Sequence, residues 1–371
     1  GASPRLRQRV REAIAENAMV AGLMDMSLAD LVALFNDLDA NRGLSDIKMV
    51  ELKNAKGVLA DMIRVTDINY LDWIQRVDPA VFPPLDENNP TSMRTRENLM
   101  SHGATKYGKE PQFHTTSELK AIGDRLPEMS SDEQLGFING YTANMSRENA
   151  MIALTELADV NPQLAFVGAG IASDPSYLVT ATNILYGQQK LTNEGAGMIE
   201  VLTGSTKSVI EIDISTALLG ALNNEELHPK HKAAVMSATL ALVASGAETD
   251  PVNALNTVLG GDEHGRGGIQ VFNNRSFAAP VGVSAELLRA VFNKADLNSR
   301  IVTTLSVDGS APRTATGGTL TGRDIYDAGT FELVGPDMYV VRMTSDGKLL
   351  QGAPGTPYTL HITQARLLGL L

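Results

Sequence analysis

The stretch Val258–Phe272, VLGGDEHGRGGIQVF, places five glycines among Asp262, Glu263, His264 and Arg266. A carboxylate beside an imidazole is the raw material of acid–base catalysis, and an arginine among glycines can meet an anion. Glu263 and His264 are therefore the catalytic candidates and Arg266 the ligand-contact candidate. The chemistry they would serve is hydrolysis of cell-wall peptidoglycan by the loop 260–268. The order of elements argues against a phosphate cradle. Phosphate loops run from a strand into a helix, whereas this one follows a predicted helix ending near Leu259, and no Gly-Lys-Ser or Gly-Lys-Thr comes after it. Glycines in this number are also what a chain needs to leave a helix, turn twice with positive φ and enter the extended segment IQVF. The reading adopted is a structural turn, with no catalytic residue assigned. The hydrolase remains the alternative.

Other patterns carry less chemistry. FVGAGIASDP has the glycine look of a dinucleotide fingerprint at Gly168 and Gly170, but that motif needs a preceding strand and a βαβ unit. What precedes it here, ELADVNPQL, reads as a helix end and a proline-started turn, so a closely packed small-residue helix is expected and no cofactor is assigned. Asp37, Asp39 and Asn41 have the alternate spacing of a calcium loop and are the metal candidates. Yet the sixth position is Arg42 and the twelfth is Lys48, where calcium loops need glycine and a bidentate glutamate; the expectation is a helix–loop–helix turn stopped at Gly43, with no metal. His228 and His231 mark a helix start without a zinc-binding pattern. Glu194 and Glu200 are spaced like many ordinary surface acids, and no Gly-x-Ser-x-Gly elbow occurs.

The elements that must position these residues are mostly helical. With 371 residues the chain is long enough for two or three domains. Aromatics make up only 5%, against abundant Ala, Leu and Met, a balance that favours helix-on-helix packing. A net charge of −12 speaks against a general nucleic-acid binder, despite the local run RLRQRVR with Arg5, Arg7, Arg9 and Arg11. The absence of cysteine excludes disulfides, thiolate metal sites and a cysteine nucleophile. The longest apolar run, AAVMSATLALVASG, is about 14 residues, short of the ~20 that span a bilayer, and predicts a buried helix. The opening GASPRL, without methionine, reads either as a piece cut from something longer or as a cloning scar.

The fold class expected is mainly α: irregular multi-helix domains with a small C-terminal antiparallel β module. Residues 1–78 form an N-terminal helical domain, with Leu6, Val10 and Ile14 at helical spacing, Ser27 as a cap and Trp73 as a core anchor. Residues 79–118, rich in Pro, Gly and Asn, read as a linker or arm with one short helix at Met93–Met100. Residues 119–299 form a central all-α domain whose helices begin at Ser130/Glu133, Ser146, Pro175, Pro251 and Ser284 and stop at Gly246 and Gly260. Residues 300–371 form the β module, with TFELVG, MYVVRM, KLLQG and YTLHI as strands and Asp346-Gly347 as a hairpin signal.

From about Ser130 onward, roughly two thirds of the chain, the sequence resembles the C-terminal part of large virion-associated proteins of tailed bacteriophages, the internal or ejection class. The likeness rests on NGYTANMSRENAMIALTELADVNPQLAFVGAGI, on ILYGQQKL, on VLGGDEHGRGGIQVFNNRSFAAPVGVSAELLRAVF, and on the closing FELVGPDMYVVRMTSDGKLLQGAPGTPYTLHI. Residues 1–118 have no counterpart in it. The resemblance implies a structural component of the virion, of a class that includes proteins released into the host on infection. It brings no catalytic residue. Many helices, a small terminal β module and no cofactor signature also suit an assembly component, expected to self-associate and dock to other particle proteins through apolar helix faces and an exposed sheet edge.

Overall fold

The computed structural model of the chain describes residue 57 and residues 60–221, 229–294, 298–307, 309–314, 316–335, 337–352 and 356–371. The helices expected around Leu6 and Ser27, the basic run Arg5–Arg11 and the metal candidates Asp37, Asp39 and Asn41 lie outside the described residues. The described chain divides into two units: one runs to Pro127 and takes in Gly140–Glu156, the other holds Glu128–Asn139 and Leu157–Leu371.

In the first unit a helical run, 60–68, leads to α1 (Tyr70–Val77), whose cap Asn69 accepts from the Leu71 N–H at 2.9 Å. Tyr70, Leu71, Trp73 and Ile74 are buried, so Trp73 is a core residue as expected, although its indole N–H has no acceptor. Helix α2 (Pro90–Tyr107) is 18 residues long, more than twice the span expected at Met93–Met100. The sequence signals of a linker are used here as caps. Asn89 accepts from the Thr91 and Ser92 N–H groups, Pro90 opens the first turn, and Gly108 ends the helix with φ of +62°. Met93, Arg96, Met100, Gly103 and Tyr107 then recur on one buried face. Residues 79–118 thus contain a packed helix and a buried segment, Phe113–Thr115. Helix α3 (Thr116–Arg125) starts from a Thr115/Glu118 capping box. Helix α4 (Ser131–Asn144), whose residues up to Asn139 belong to the second unit, and helix α5 (Arg147–Glu156), in the first, start where the Ser130/Glu133 box and Ser146 place them.

In the second unit, α6 (Pro162–Ser173), α7 (Leu178–Glu194), α8 (Gly197–Thr203), α9 (Lys207–Ala221) and α11 (Pro251–Val258) surround α10 (Pro229–Ser245). Helix α10 carries the expected buried run: Ala234, Val235, Ala238 and the segment Leu240–Ala244 are all in the core. Helix α7 approaches it so closely that a methyl on Gly187 would land on the Ala241 carbonyl oxygen. The expected stops hold, with φ of +82° at Gly246 and +93° at Gly260.

The section read as all-α, 119–299, also contains a hairpin, β1 (Gly268–Phe272) and β2 (Arg275–Ala279), before α12 (Ala285–Phe292). Its two turn residues, Asn273 and Asn274, have φ of +49° and +59°, the conformation of the tight turn that matches strand twist. Helices α13 (Asn298–Leu305) and α14 (Gly322–Ala328) lead into an antiparallel sheet ordered β3 (Gly329–Gly335), β4 (Met338–Met343), β5 (Thr359–His361), and α15 (Gln364–Leu368) follows. The sheet realises three of the four expected strands. KLLQG makes only isolated bridges, because Leu349 pairs with Arg342 while Gln351 pairs with Arg313 and Pro357. Phe331 ties the β elements together, with ring centroids 5.1 Å from Phe272, 5.5 Å from Phe277 and 5.8 Å from Phe292. The fold is mainly α with a small antiparallel β module near the C-terminus. No helix among the described residues is long and apolar enough to cross a membrane.

Candidate functional site

The glycine-rich loop is organised around Asp262. Its carboxylate accepts from the backbone N–H of His264 at 2.9 Å and of Arg266 at 2.8 Å, and from Arg266 Nε at 2.8 Å. The Asp262 N–H in turn donates to the Arg266 carbonyl at 2.9 Å, closing the turn. Burial alone would raise the Asp262 carboxyl; the bonds from Arg266 and His264 outweigh it and hold the group below the usual carboxylate range. Arg266 is thereby occupied by its own loop.

Both exits of the loop are also fixed. The Asn256 side chain accepts from the Ile269 N–H at 2.8 Å, and the Gly267 N–H donates to the Val283 carbonyl at 2.8 Å. Gly267 has φ of +67°, and a methyl there would strike the Gly260 carbonyl oxygen, so only glycine fits. The side chains of Glu263 and His264 point outward, 87% and 66% exposed, with 3.7 Å between Oε1 and Nε2. Among the described residues no wall encloses the pair and no third group hydrogen-bonds the imidazole to orient it, as acid–base work would require.

The other sequence candidates do not converge. Gly168 and Gly170 lie within α6, where Gly170 packs under the Tyr177 ring, as a close-packed helix requires. Glu194 ends α7 and Glu200 lies on α8, both exposed. His102 is exposed on α2 and His361 lies on β5. His228 lies outside the described residues, and His231 lies on α10. Among the described residues no three His, Asp or Glu side chains gather as a metal site would need.

A polar network in the first unit was not legible from the sequence. His114 is fully buried, with Nδ1 2.9 Å from Glu156 Oε2 and Nε2 2.8 Å from the Tyr141 hydroxyl. Glu156 also accepts from the Phe113 and His114 backbone N–H groups at 2.7 and 3.0 Å. Nearby, buried Arg96 donates to both oxygens of Glu118 and to the Pro83 carbonyl, and lies 3.9 Å from the Phe82 ring centroid. The available signal was Thr115-x-x-Glu118, a capping box within the supposed arm. Carboxylate, imidazole and hydroxyl form a row that superficially suggests a relay, but its hydroxyl end is the buried Tyr141. Its evident work is to fix the segment Phe113–Thr115.

The outstanding surface feature belongs to the second unit. Leu178, Val179 and Tyr186 on α7, Val201 and Leu202 on α8, and Val209, Ile212 and Leu219 on α9 are all exposed. These eight are more than half of the large apolar side chains exposed among the described residues, concentrated in three consecutive helices. Comparison of the chain with protein-family models, with curated proteins and with solved structures finds no match.

Proposed function

We propose that the chain is a non-enzymatic structural protein of a bacteriophage particle, of the internal or ejection type, working through self-association and docking to other particle proteins. The observation that carries this reading is the run of exposed apolar side chains on α7, α8 and α9, since a chain that works by contact needs such a face. The resemblance of the sequence from Ser130 onward supplies the particle context, and with it residence in the virion and delivery into the host. The competing reading, a cell-wall hydrolase centred on Glu263 and His264, has against it the outward exposure of both side chains and the engagement of Arg266 with Asp262.

The test sets the purified chain on peptidoglycan beside Glu263→Ala and His264→Ala, and measures its mass in solution by light scattering. The proposal expects no cleavage by any of the three and a mass above that of one chain. Cleavage that either substitution abolishes without unfolding the protein would replace it with the hydrolase.

A further inference from the structure

We draw no further inference here: the strongest candidate, the small cavity of about 40 Å³ bounded by β2, β3 and β4 and lined by Arg275, Thr330, Glu332 and Arg342, carries nothing, because Glu332 already holds the Arg342 guanidinium and nothing in the structure shows what the exposed Arg275 would meet.

Discussion

His114 Nδ1 lies 2.9 Å from Glu156 Oε2, and the two residues are 42 positions apart in the chain. The carboxylate also takes the N–H groups of Phe113 and His114, so removing it strands three buried donors at once. Breaking a buried pair by deleting one partner costs about 3–5 kcal/mol. Glu156→Ala is expected to lower the stability of the first unit by about that amount. Urea unfolding followed by Trp73, the only tryptophan, reads this out; a loss below ~1 kcal/mol would mean the network is not what fixes the segment.

Glu118 gives that unit an acid dependence. Burial pushes its carboxyl up, but the Arg96 guanidinium more than compensates and holds it below the usual range. A depressed carboxyl stabilises the fold above its unfolded value, near 4.3, and that contribution drains away as pH falls below it towards the folded value. The stability gap between wild type and Glu118→Gln should therefore be full at pH 7 and shrink progressively below about pH 4. A gap that is constant across this range contradicts the assignment.

An opposite dependence appears in alkali. Burial raises the Tyr70 hydroxyl to about 12, and Tyr107, its ring 5.9 Å away, also to about 12. The neutral phenols stabilise the fold fully below the ordinary tyrosine value of about 10, and this is lost as pH rises through 12. Spectrophotometric titration should show these tyrosines ionising together with loss of the Trp73 signal. Tyr70→Phe, which strands the Gln112 N–H, should be less stable at neutral pH and less sensitive between about pH 10 and 12.

In the glycine-rich loop the expected ranking is structural. Asp262→Ala removes the acceptor for two backbone N–H groups and Arg266, and should cost about 1–2 kcal/mol. Glu263→Ala and His264→Ala, both at exposed positions, should change stability by no more than about 0.5 kcal/mol. Thermal unfolding of the three variants checks the order, and a larger effect at His264 than at Asp262 would reverse the account of the loop.

What was legible in the sequence was local. Ser130 with Glu133, Ser284, Pro251 and the stops at Gly246 and Gly260 announce their helix ends because a cap and its partner sit within four residues. The hairpin at Asn273-Asn274 was missed, although two asparagines between apolar runs are a turn signal. The Pro-rich stretch misled because prolines and asparagines cap a helix as readily as they break one, and what distinguishes the two is distant: Arg96 reaching Glu118, and Glu156 reaching His114. For the same reason the loop at Asp262 was understood as a turn, yet which residue organises it emerged only from geometry. The exposed stripe on α9 is hidden in a sequence that is apolar on both faces, since periodicity alone does not say which face the fold covers.

The clustering of Phe272 and Phe277 on Phe331 has a consequence for synthesis. The hairpin leaves the ribosome about 60 residues ahead of the ring that covers it, and at 5–20 residues per second that interval is some 3–12 s. During that time two phenylalanines of a newly made strand pair face water. The nascent chain thus has a window in which a chaperone, or a neighbouring nascent chain, competes with its own later residues for the same rings.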